Sequence, residues 1–298
     1  MATLTVRPEG TVSNAITFKH ILACTDFSPA SQAALRVAQM MAKRSDAMLY
    51  VLHAVPPEAY PLVPPDAVVT VHDYERQRSS EQMHTIGQLC DRVGIHHQEI
   101  VRYGFVGDVL RQVLAEQPID LLVVGTHGSK GIEKLLLGSV AEEIFRWAEC
   151  PVLTVGPRLG RKAQEVTKLN AVLFATDFSF HSEKALPFAL SLAAQHHAEL
   201  SVLHVVEKLG DPAPHNRSRV RDLYMPRLKK LIPASTAAHF FVRFGNAAEE
   251  LLALTEDIEP DMIVMGVRKA EGASSHAPWA IASRVVRGAT CPVLTVRS

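Results

Sequence analysis

The sequence predicts an α/β protein made of two tandem domains, each with a five-stranded parallel sheet. Three observations support this fold class. Short apolar segments rich in β-branched residues alternate with longer segments of helical periodicity, as in parallel sheets covered by helices. A long stretch of the first half recurs in the second half. A glycine-rich segment, residues 125–131, stands between an apolar segment and a helical pattern, which is typical of a strand–loop–helix unit.

The repeat divides the chain into two domains. Residues 21–55 align without gaps with residues 172–206, and 16 of these 35 positions are identical. Thr-Asp-Phe-Ser at 25–28 recurs at 176–179, with an offset of 151. Cys-Pro-Val-Leu-Thr-Val at 150–155 recurs at 291–296, with an offset of 141. The predicted organisation is a first domain over 1–156, a linker over 157–170 and a second domain over 171–298.

The first three elements of the first copy follow from local patterns. Residues 19–25 form an apolar segment that predicts a strand ending before Asp26. Ser28 followed by Pro29 marks a helix start, because serine caps helix N-termini and proline fits the first helical position. Apolar residues then recur at helical spacing up to residue 42, and residues 47–55 predict a second strand.

The rest of the first copy continues the alternation. Five prolines between residues 56 and 65 predict an extended loop over 56–71. The remaining predicted elements are a helix over 72–93, a strand over 96–102, a helix over 107–116, a strand over 119–124, a helix over 140–147 and a strand over 151–155. Such alternation gives parallel strands joined by right-handed crossovers.

Candidate site residues follow three of the predicted strands. Asp26 follows the first strand, His53 and Ala54 end the second, and Gly125 begins the loop after the fourth. Ligands of open α/β sheets bind beyond the carboxyl ends of strands, where the strand order reverses. These positions are therefore predicted to converge on one crevice.

The segment after Val124 has the features of an anion site. Gly125 and Gly128 let the backbone approach a ligand closely, and Gly138-Ser139 opens a helical pattern. Free backbone N–H groups and the positive end of a helix dipole therefore meet at one place, which favours phosphate binding. The other common phosphate loop, G-x4-G-K-[ST], is absent from the sequence.

Composition argues against several classes of protein. The 31 basic and 31 acidic residues balance, whereas proteins that bind nucleic acids or anionic membranes usually present a basic surface. No apolar run approaches the roughly 20 residues of a membrane span, and residues 1–20 lack a secretory signal. A cytoplasmic protein is expected.

The four cysteines form no CxxC pair, which predicts core thiols and no disulfide framework or zinc site.

The histidines are predicted to have structural or surface positions. His53 and His204 recur at equivalent strand ends, and we assign both a structural role. The pairs at 96–97 and 196–197 flank strands without the spacing of metal ligands, and are predicted to lie at the surface or at strand edges.

At these residues the chain resembles the universal stress protein family. The family's nucleotide motif, G-x2-G-x9-G-[ST], is matched at every spacing by Gly125, Gly128, Gly138 and Ser139. Segments 25–28, 52–53 and 150–153 are also similar to the family's, and the resemblance covers nearly the whole chain. It implies a Rossmann-like fold related to the adenine nucleotide alpha hydrolases. It also implies that the two domains pack as a pseudo-dimer, with strands 151–155 and 292–296 paired.

The resemblance further implies a site for ATP. Asp26 would contact the ribose or hold a Mg²⁺ ion, Thr25 would also contact the nucleotide, and the backbone at Ala54 would contact adenine. The triphosphate would be held after the fourth strand, by Val124, Gly125, His127, Gly128, Gly138, Ser139 and Val140. An alternative stays open for Asp26, whose carboxylate would then only cap the following helix.

The second copy departs from the nucleotide motif. At offset 141 the four motif positions become Gly266, Lys269, Trp279 and Ala280. An indole therefore replaces a glycine, and a methyl group replaces the serine hydroxyl. The second domain is predicted to have lost ATP binding and to act as a structural or regulatory partner. In the alternative interpretation, Arg268, Lys269 and His276 bind an anion with their side chains.

The expected function is that of an ATP-binding regulatory protein of the stress response. Its ligands would be an adenine nucleotide and a protein partner, and a homodimer of the whole chain is compatible with this arrangement. ATP hydrolysis is expected to be slow at most, because no water-activating base or arginine finger is evident. The alternatives are a scaffold in which the glycines only serve turns, and a nucleotide-dependent transferase, for which the sequence shows no acceptor signature.

Overall fold

The computed structural model describes residues 16–57, 65–126, 143–144, 147–156, 168–207, 214–268 and 277–297. The chain forms two compact units. The four-strand unit spans residues 18–150, and the six-strand unit combines residues 1–17 with residues 151–298. These units do not coincide with the sequence repeats, because the strand that ends the first copy belongs to the six-strand unit. The division at 1–156, 157–170 and 171–298 stays a prediction about the repeats.

Parallel strands alternate with helices in the described part of the four-strand unit. The elements are β1 (His20–Cys24), α1 (Pro29–Ser45), β2 (Met48–Val55), α2 (Pro65–Arg92), β3 (His97–Tyr103), α3 (Val106–Glu116) and β4 (Leu121–Gly125). The strand order is β3-β2-β1-β4, with every pairing parallel. β2 and β3 are therefore added on one side of β1, and β4 is added on its other side, so the strand order reverses between β1 and β4. Of the helix predicted over 140–147, the described residues 143, 144 and 147 are helical.

The six-strand unit repeats this alternation after one additional strand. Its described elements are β5 (Val152–Val155), β6 (Ala171–Ala175), α4 (Phe180–His196), β7 (Glu199–Val206), α5 (Pro214–Leu231), β8 (Ala238–Phe244), α6 (Ala247–Ile258), β9 (Met262–Val267), α7 (Ala277–Gly288) and β10 (Val293–Arg297). The strand order is β5-β10-β9-β6-β7-β8. β5 and β10 are antiparallel, and the other pairings of this unit are parallel.

Local sequence sets the start of α1 as predicted. The Ser28 hydroxyl accepts a hydrogen bond from the Ser31 backbone N–H at 3.2 Å, and Pro29 occupies the first turn. The helix ends at Asp46, whose φ of 51° lies in the left-handed region. α4 begins with the same cap, because Ser179 accepts from the Ser182 backbone N–H. The helix start is therefore a property of both repeats.

The predicted loop over 56–71 is wrong in its second half, because α2 already begins at Pro65. The fifth proline of the cluster is the first residue of this helix, a position where proline costs no hydrogen bond and where its fixed φ suits the helix. From residue 66 to residue 92 the sequence contains no further proline, so nothing interrupts the helix. Residues 58–64 lie outside the described residues.

The predicted pairing of the two terminal strands is confirmed. Leu153 lies opposite Leu294 in the antiparallel ladder of β5 and β10. On either side of this pair, the Thr154 hydroxyl donates to the Val293 carbonyl, and the Thr295 hydroxyl donates to the Val152 carbonyl, each at 3.1 Å. The two bonds are related by a local two-fold through the leucine pair, as expected when two copies of one sequence meet.

The chain before β1 and the chain before β6 both contact α4. The Ile16 backbone N–H donates to the Ser191 hydroxyl at 2.8 Å, and the Gln195 amide donates to the Ile16 carbonyl at 2.7 Å. The Leu169 backbone N–H donates to Nδ1 of His196 at 3.2 Å. His196 is buried, so its predicted surface position is wrong. Its ring satisfies a buried backbone donor that would otherwise lack a partner.

Candidate functional site

The turn after β1 is held by its own side chains. The Thr25 hydroxyl accepts from the Phe27 backbone N–H at 3.0 Å and lies 3.2 Å from the Ser31 hydroxyl. Oδ1 of Asp26 accepts from the Ser28 backbone N–H at 3.0 Å. Phe27 adopts a φ of 62°, which is uncommon for a non-glycine residue. Asp26 therefore closes the turn that leads into α1, as in the capping interpretation.

His53 connects the end of β2 to this turn. Its Nδ1 lies 2.8 Å from the Thr25 carbonyl oxygen, and its ring centroid lies 4.4 Å from that of Phe27. Because a carbonyl oxygen only accepts hydrogen bonds, Nδ1 carries the proton. This contact confirms the structural role predicted for His53.

Gly125, at the end of β4, lies directly against the first turn of α1. A Cβ atom at this position would lie 3.0 Å from the backbone carbonyl of Ala30 and 3.1 Å from the backbone nitrogen of Ser31. The equivalent Gly266 is more tightly enclosed, because its Cβ would lie 2.1 Å from the carbonyl oxygen of His181. Helix packing alone therefore requires a small residue at both positions.

The structure brings together the described members of the predicted site. In the parallel register, Ala23 pairs with Val51 on one side and with Val123 on the other. The carboxyl ends of β1, β2 and β4 consequently lie at the same edge of the sheet. The predicted site residues at this edge are Thr25, Asp26, Ala54, Val124 and Gly125. His127, Gly128, Gly138, Ser139 and Val140 lie outside the described residues. The ligand-binding roles of all ten residues stay predictions.

The second repeat has the same turn without the nucleotide motif. The Thr176 hydroxyl accepts from the Phe178 backbone N–H at 3.0 Å, and Asp177 accepts from the Ser179 backbone N–H at 2.9 Å. Nδ1 of His204 lies 2.9 Å from the Thr176 carbonyl oxygen, which confirms the structural role predicted for this histidine. The Thr-Asp-Phe-Ser segment is therefore a structural unit of the fold in both repeats.

Asp177 is held in its ionised form. Burial favours the neutral carboxyl, but hydrogen bonds from the hydroxyl and backbone N–H of Ser179, together with the Ser182 hydroxyl, outweigh burial and lower the pKa. The pKa of His204 is also lowered, first by burial and then by the nearby Arg227 guanidinium. An ionised carboxylate and a neutral imidazole consequently flank the turn at neutral pH.

Asp177→Asn is expected to flatten the acid dependence of stability. Because the folded-state pKa lies below the ordinary value of 3.8, the carboxylate stabilises the fold above that pH. This contribution is lost as the pH falls through the folded-state pKa. Thermal melts between about pH 5 and pH 2 should therefore show a steeper fall of Tm for the wild type than for the variant. Equal slopes would contradict the assignment.

An aromatic cluster behind this turn was not predicted from the sequence. The His204 ring lies between Phe178 and Tyr224, with centroid distances of 4.5 and 4.6 Å. The Arg227 guanidinium lies 4.3 Å from the centroid of the Phe178 ring. Tyr224 and Arg227 come from α5, which belongs to the less similar middle of the repeat. The alignment therefore gave no signal for these contacts.

A cavity of about 400 Å³ in the six-strand unit was also missed. It lies at the carboxyl ends of β6, β7 and β9, beside α6 and α7. The lining includes Thr176, Asp177, Val205, Gly266, Arg268 and Ile281. The signal was present in the sequence, because the turn and strand-end residues recur in the second copy. The altered glycine motif indicated the loss of ATP binding, but it carries no information on whether a cavity is retained.

The cysteines and acidic side chains show no metal site in the described ranges, where no cluster of three or more His, Cys, Asp or Glu side chains could hold an ion. None of the four cysteines forms a disulfide. Burial, with a smaller effect of Cys150, raises the pKa of the Cys24 thiol to about 12, and burial raises that of Cys150 to about 11. Both groups stay protonated at neutral pH and are weak nucleophiles.

The fold and this edge of the sheet define a tandem α/β protein whose candidate site lies at the switch point of a parallel sheet. Residues 17–156 and 168–297 both match the model of the universal stress protein family. The chain therefore belongs to the universal stress protein family, as two tandem domains. Within the described residues, no helix has the length and apolar content needed to cross a membrane.

Curated relatives agree with this assignment, and a solved structure shares the fold. Universal stress protein A homolog 1 of Coxiella burnetii is 33% identical over 139 residues, which is 46% of this chain and 96% of the relative. A universal stress protein of Mycobacterium tuberculosis is 28% identical over 293 residues, with 93% of this chain and 96% of the relative covered. The crystal structure of a universal stress protein from Archaeoglobus fulgidus matches the fold with a TM-score of 0.70 at 22% identity, and the match covers 93% and 98% of the two chains.

Proposed function

We propose that this protein is an ATP-binding regulatory protein of the stress response, and that the nucleotide binds in the first repeat. One observation carries the proposal. Thr25–Asp26 directly follow β1, and Val124–Gly125 end the neighbouring strand β4. The strand order reverses between these two strands. Ligands of open α/β sheets bind at such a switch point, and here the sequence continues into the full G-x2-G-x9-G-[ST] motif.

Each proposed contact follows from the type of group present. The carboxylate of Asp26 accepts hydrogen bonds from ribose hydroxyls, and the backbone at Ala54 meets the adenine. Backbone N–H groups after Gly125 and the Ser139 hydroxyl donate to the phosphates. Asp26 is also the proposed Mg²⁺ ligand, and the ion would neutralise part of the phosphate charge.

The proposed mechanism is regulation by binding. Hydrolysis is expected to be slow at most, because the sequence shows no evident water-activating base or arginine finger. Binding stabilises the bound form by RT ln(1 + [L]/Kd), about 2.7 kcal/mol at a hundredfold excess over Kd. Only four residues separate Trp147, in the helix that follows the motif, from β5 of the six-strand unit. The second repeat is the proposed structural or regulatory partner of this site, to which the chain connects it through this short segment.

A scaffold without nucleotide is the second candidate, and Gly125 is the observation that favours it. Packing against Ala30 and Ser31 explains this glycine without any ligand. It does not explain the spacing of Gly128, Gly138 and Ser139. Titration with ATP separates the two candidates.

Gly138→Trp is expected to abolish ATP binding while the fold is retained, because the second repeat has tryptophan at the equivalent position. Calorimetric titration with Mg²⁺-ATP should give one site per wild-type chain and none for the variant. Leu89→Trp is the matched control, because it places an indole on an exposed position of α2 away from the site, and should bind like the wild type. A wild type that binds no ATP would favour the scaffold.

A further inference from the structure

The cavity in the second repeat occupies the place that corresponds to the proposed ATP site. Five of its lining residues, Thr176, Asp177, Val205, Met265 and Gly266, are the repeat equivalents of Thr25, Asp26, Ala54, Val124 and Gly125. Two more, Arg268 and Ile281, are equivalent to His127 and Val140. At about 400 Å³, the cavity falls within the usual range for small-molecule pockets. Its retention is notable because the phosphate motif beside it has changed.

The walls of the cavity are mostly apolar. β7 contributes Leu203 and Val205, β9 contributes Met265, α6 contributes Leu251, and α7 contributes Ile281. Such walls favour a flat, poorly hydrated group over a strongly solvated one. The planar heterocycle of a nucleoside is a group of this kind.

The polar groups of the cavity differ in charge from a phosphate site. Glu207 stands where the first repeat has Pro56, and its Oε1 accepts from the Ala247 backbone N–H at 2.9 Å, which fixes a carboxylate beside the cavity. Asp177 supplies a second carboxylate. Against these, Arg268 is the one Arg or Lys among the lining residues that the structure describes, and all three charged side chains are exposed. Carboxylates accept hydrogen bonds from sugar hydroxyls and repel phosphates.

We propose that this cavity binds an unphosphorylated nucleoside and excludes the corresponding nucleotide. The heterocycle packs between the apolar side chains of β7, α6 and α7, and the sugar hydroxyls donate to Asp177. Glu207, which has no acidic counterpart in the first repeat, repels a phosphate group, and the sequence places Trp279 and Ala280 where the first repeat has the glycine and serine of its motif. The choice of a nucleoside rests on the proposed function, because it uses the equivalence of the cavity to the proposed ATP site.

Adenosine and ATP are the probes that test this proposal on the full chain. Ala247→Phe places a ring in the cavity from the first residue of α6. Ala253→Phe makes the same change at an exposed position of the same helix, outside the cavity lining. Calorimetric titration with adenosine should show one bound molecule per chain fewer for Ala247→Phe than for the wild type, and no loss for Ala253→Phe. The number of bound ATP molecules should be equal in all three proteins.

Two results would overturn the proposal: an unchanged number of adenosine sites in Ala247→Phe, or the loss of an ATP site in that variant. Failure of the proposed function has a different signature, because the wild type would then bind no ATP, whereas the adenosine site would still be lost in Ala247→Phe. Circular dichroism and Tm report whether the variant folds. If it does not, Ile281→Trp fills the cavity from α7 and is subject to the same criteria.

Discussion

Gly266→Ala is expected to lower the free energy of unfolding by about 3 kcal/mol or more. The added Cβ would lie 2.1 Å from the carbonyl oxygen and 2.3 Å from the carbonyl carbon of His181, and 2.6 Å from the Ser182 nitrogen. All three atoms belong to the backbone of α4, so the clash is not relieved by rotation of a side chain. Either the first turn of α4 or the end of β9 has to shift. Urea unfolding measures the loss directly.

Two further glycine-to-alanine substitutions separate the packing clash from the general effect of replacing a glycine. None of the three glycines has a positive φ, so backbone strain does not contribute. Gly125→Ala meets the equivalent backbone at 3.0 Å and should cost about 1 kcal/mol. Gly87→Ala meets side-chain atoms only, the carboxylate of exposed Glu99 and Nε2 of His97 at 3.0 Å. Because side chains can rotate away, the substitution should be neutral or stabilise α2 by up to about 1 kcal/mol. Similar losses for Gly266→Ala and Gly87→Ala would contradict the packing explanation.

The second large effect is expected for Leu153→Ala, with a loss of about 2–5 kcal/mol. Leu153 is fully buried in β5 and lies opposite the equally buried Leu294 of β10. Truncation removes apolar contacts and leaves a cavity in a strand pair that cannot collapse without breaking its ladder. Urea unfolding, followed through the near-ultraviolet circular dichroism signal, tests this expectation.

Thr154→Val separates packing from hydrogen bonding in the same strand. The substitution keeps the branched shape of the side chain but removes the hydroxyl that donates to the Val293 carbonyl. A loss of about 0.5–1.5 kcal/mol is expected, the usual net value of one hydrogen bond. If Thr154→Val costs as much as Leu153→Ala, the buried leucine pair does not dominate the stability of this strand pairing.

Much of the fold was predictable from local signals. Ser28 and Pro29 predicted the start of α1, because caps and proline act within one turn of the chain. The apolar segments predicted the strands of the first repeat to within a few residues. The loop predicted over 56–71 was too long, because composition does not distinguish Pro65, which starts a helix, from a proline within a loop.

The candidate site was less predictable, because its contacts join distant segments. The sequence placed Thr25, Ala54 and Gly125 at the carboxyl ends of separate strands, and the parallel register brings them to one edge. The sequence did not reveal that packing requires Gly266, because a glycine at this position is equally expected in a phosphate-binding loop. The cavity beside Gly266 was not predicted either. The altered motif indicated only that phosphate binding is lost, whereas the apolar walls of the cavity come partly from α6 and α7, which lie far in sequence from the Thr-Asp-Phe-Ser turn.

The pairing of β5 with β10 also imposes an order of events during protein synthesis. β5 is synthesised before any residue of β6 to β10, and the strand that pairs with it begins only at Val293. At translation rates of about 5–20 residues per second, the delay is on the order of ten seconds. Throughout this interval the nascent chain carries an apolar strand whose β10-facing edge has no partner, the kind of surface at which nascent chains aggregate.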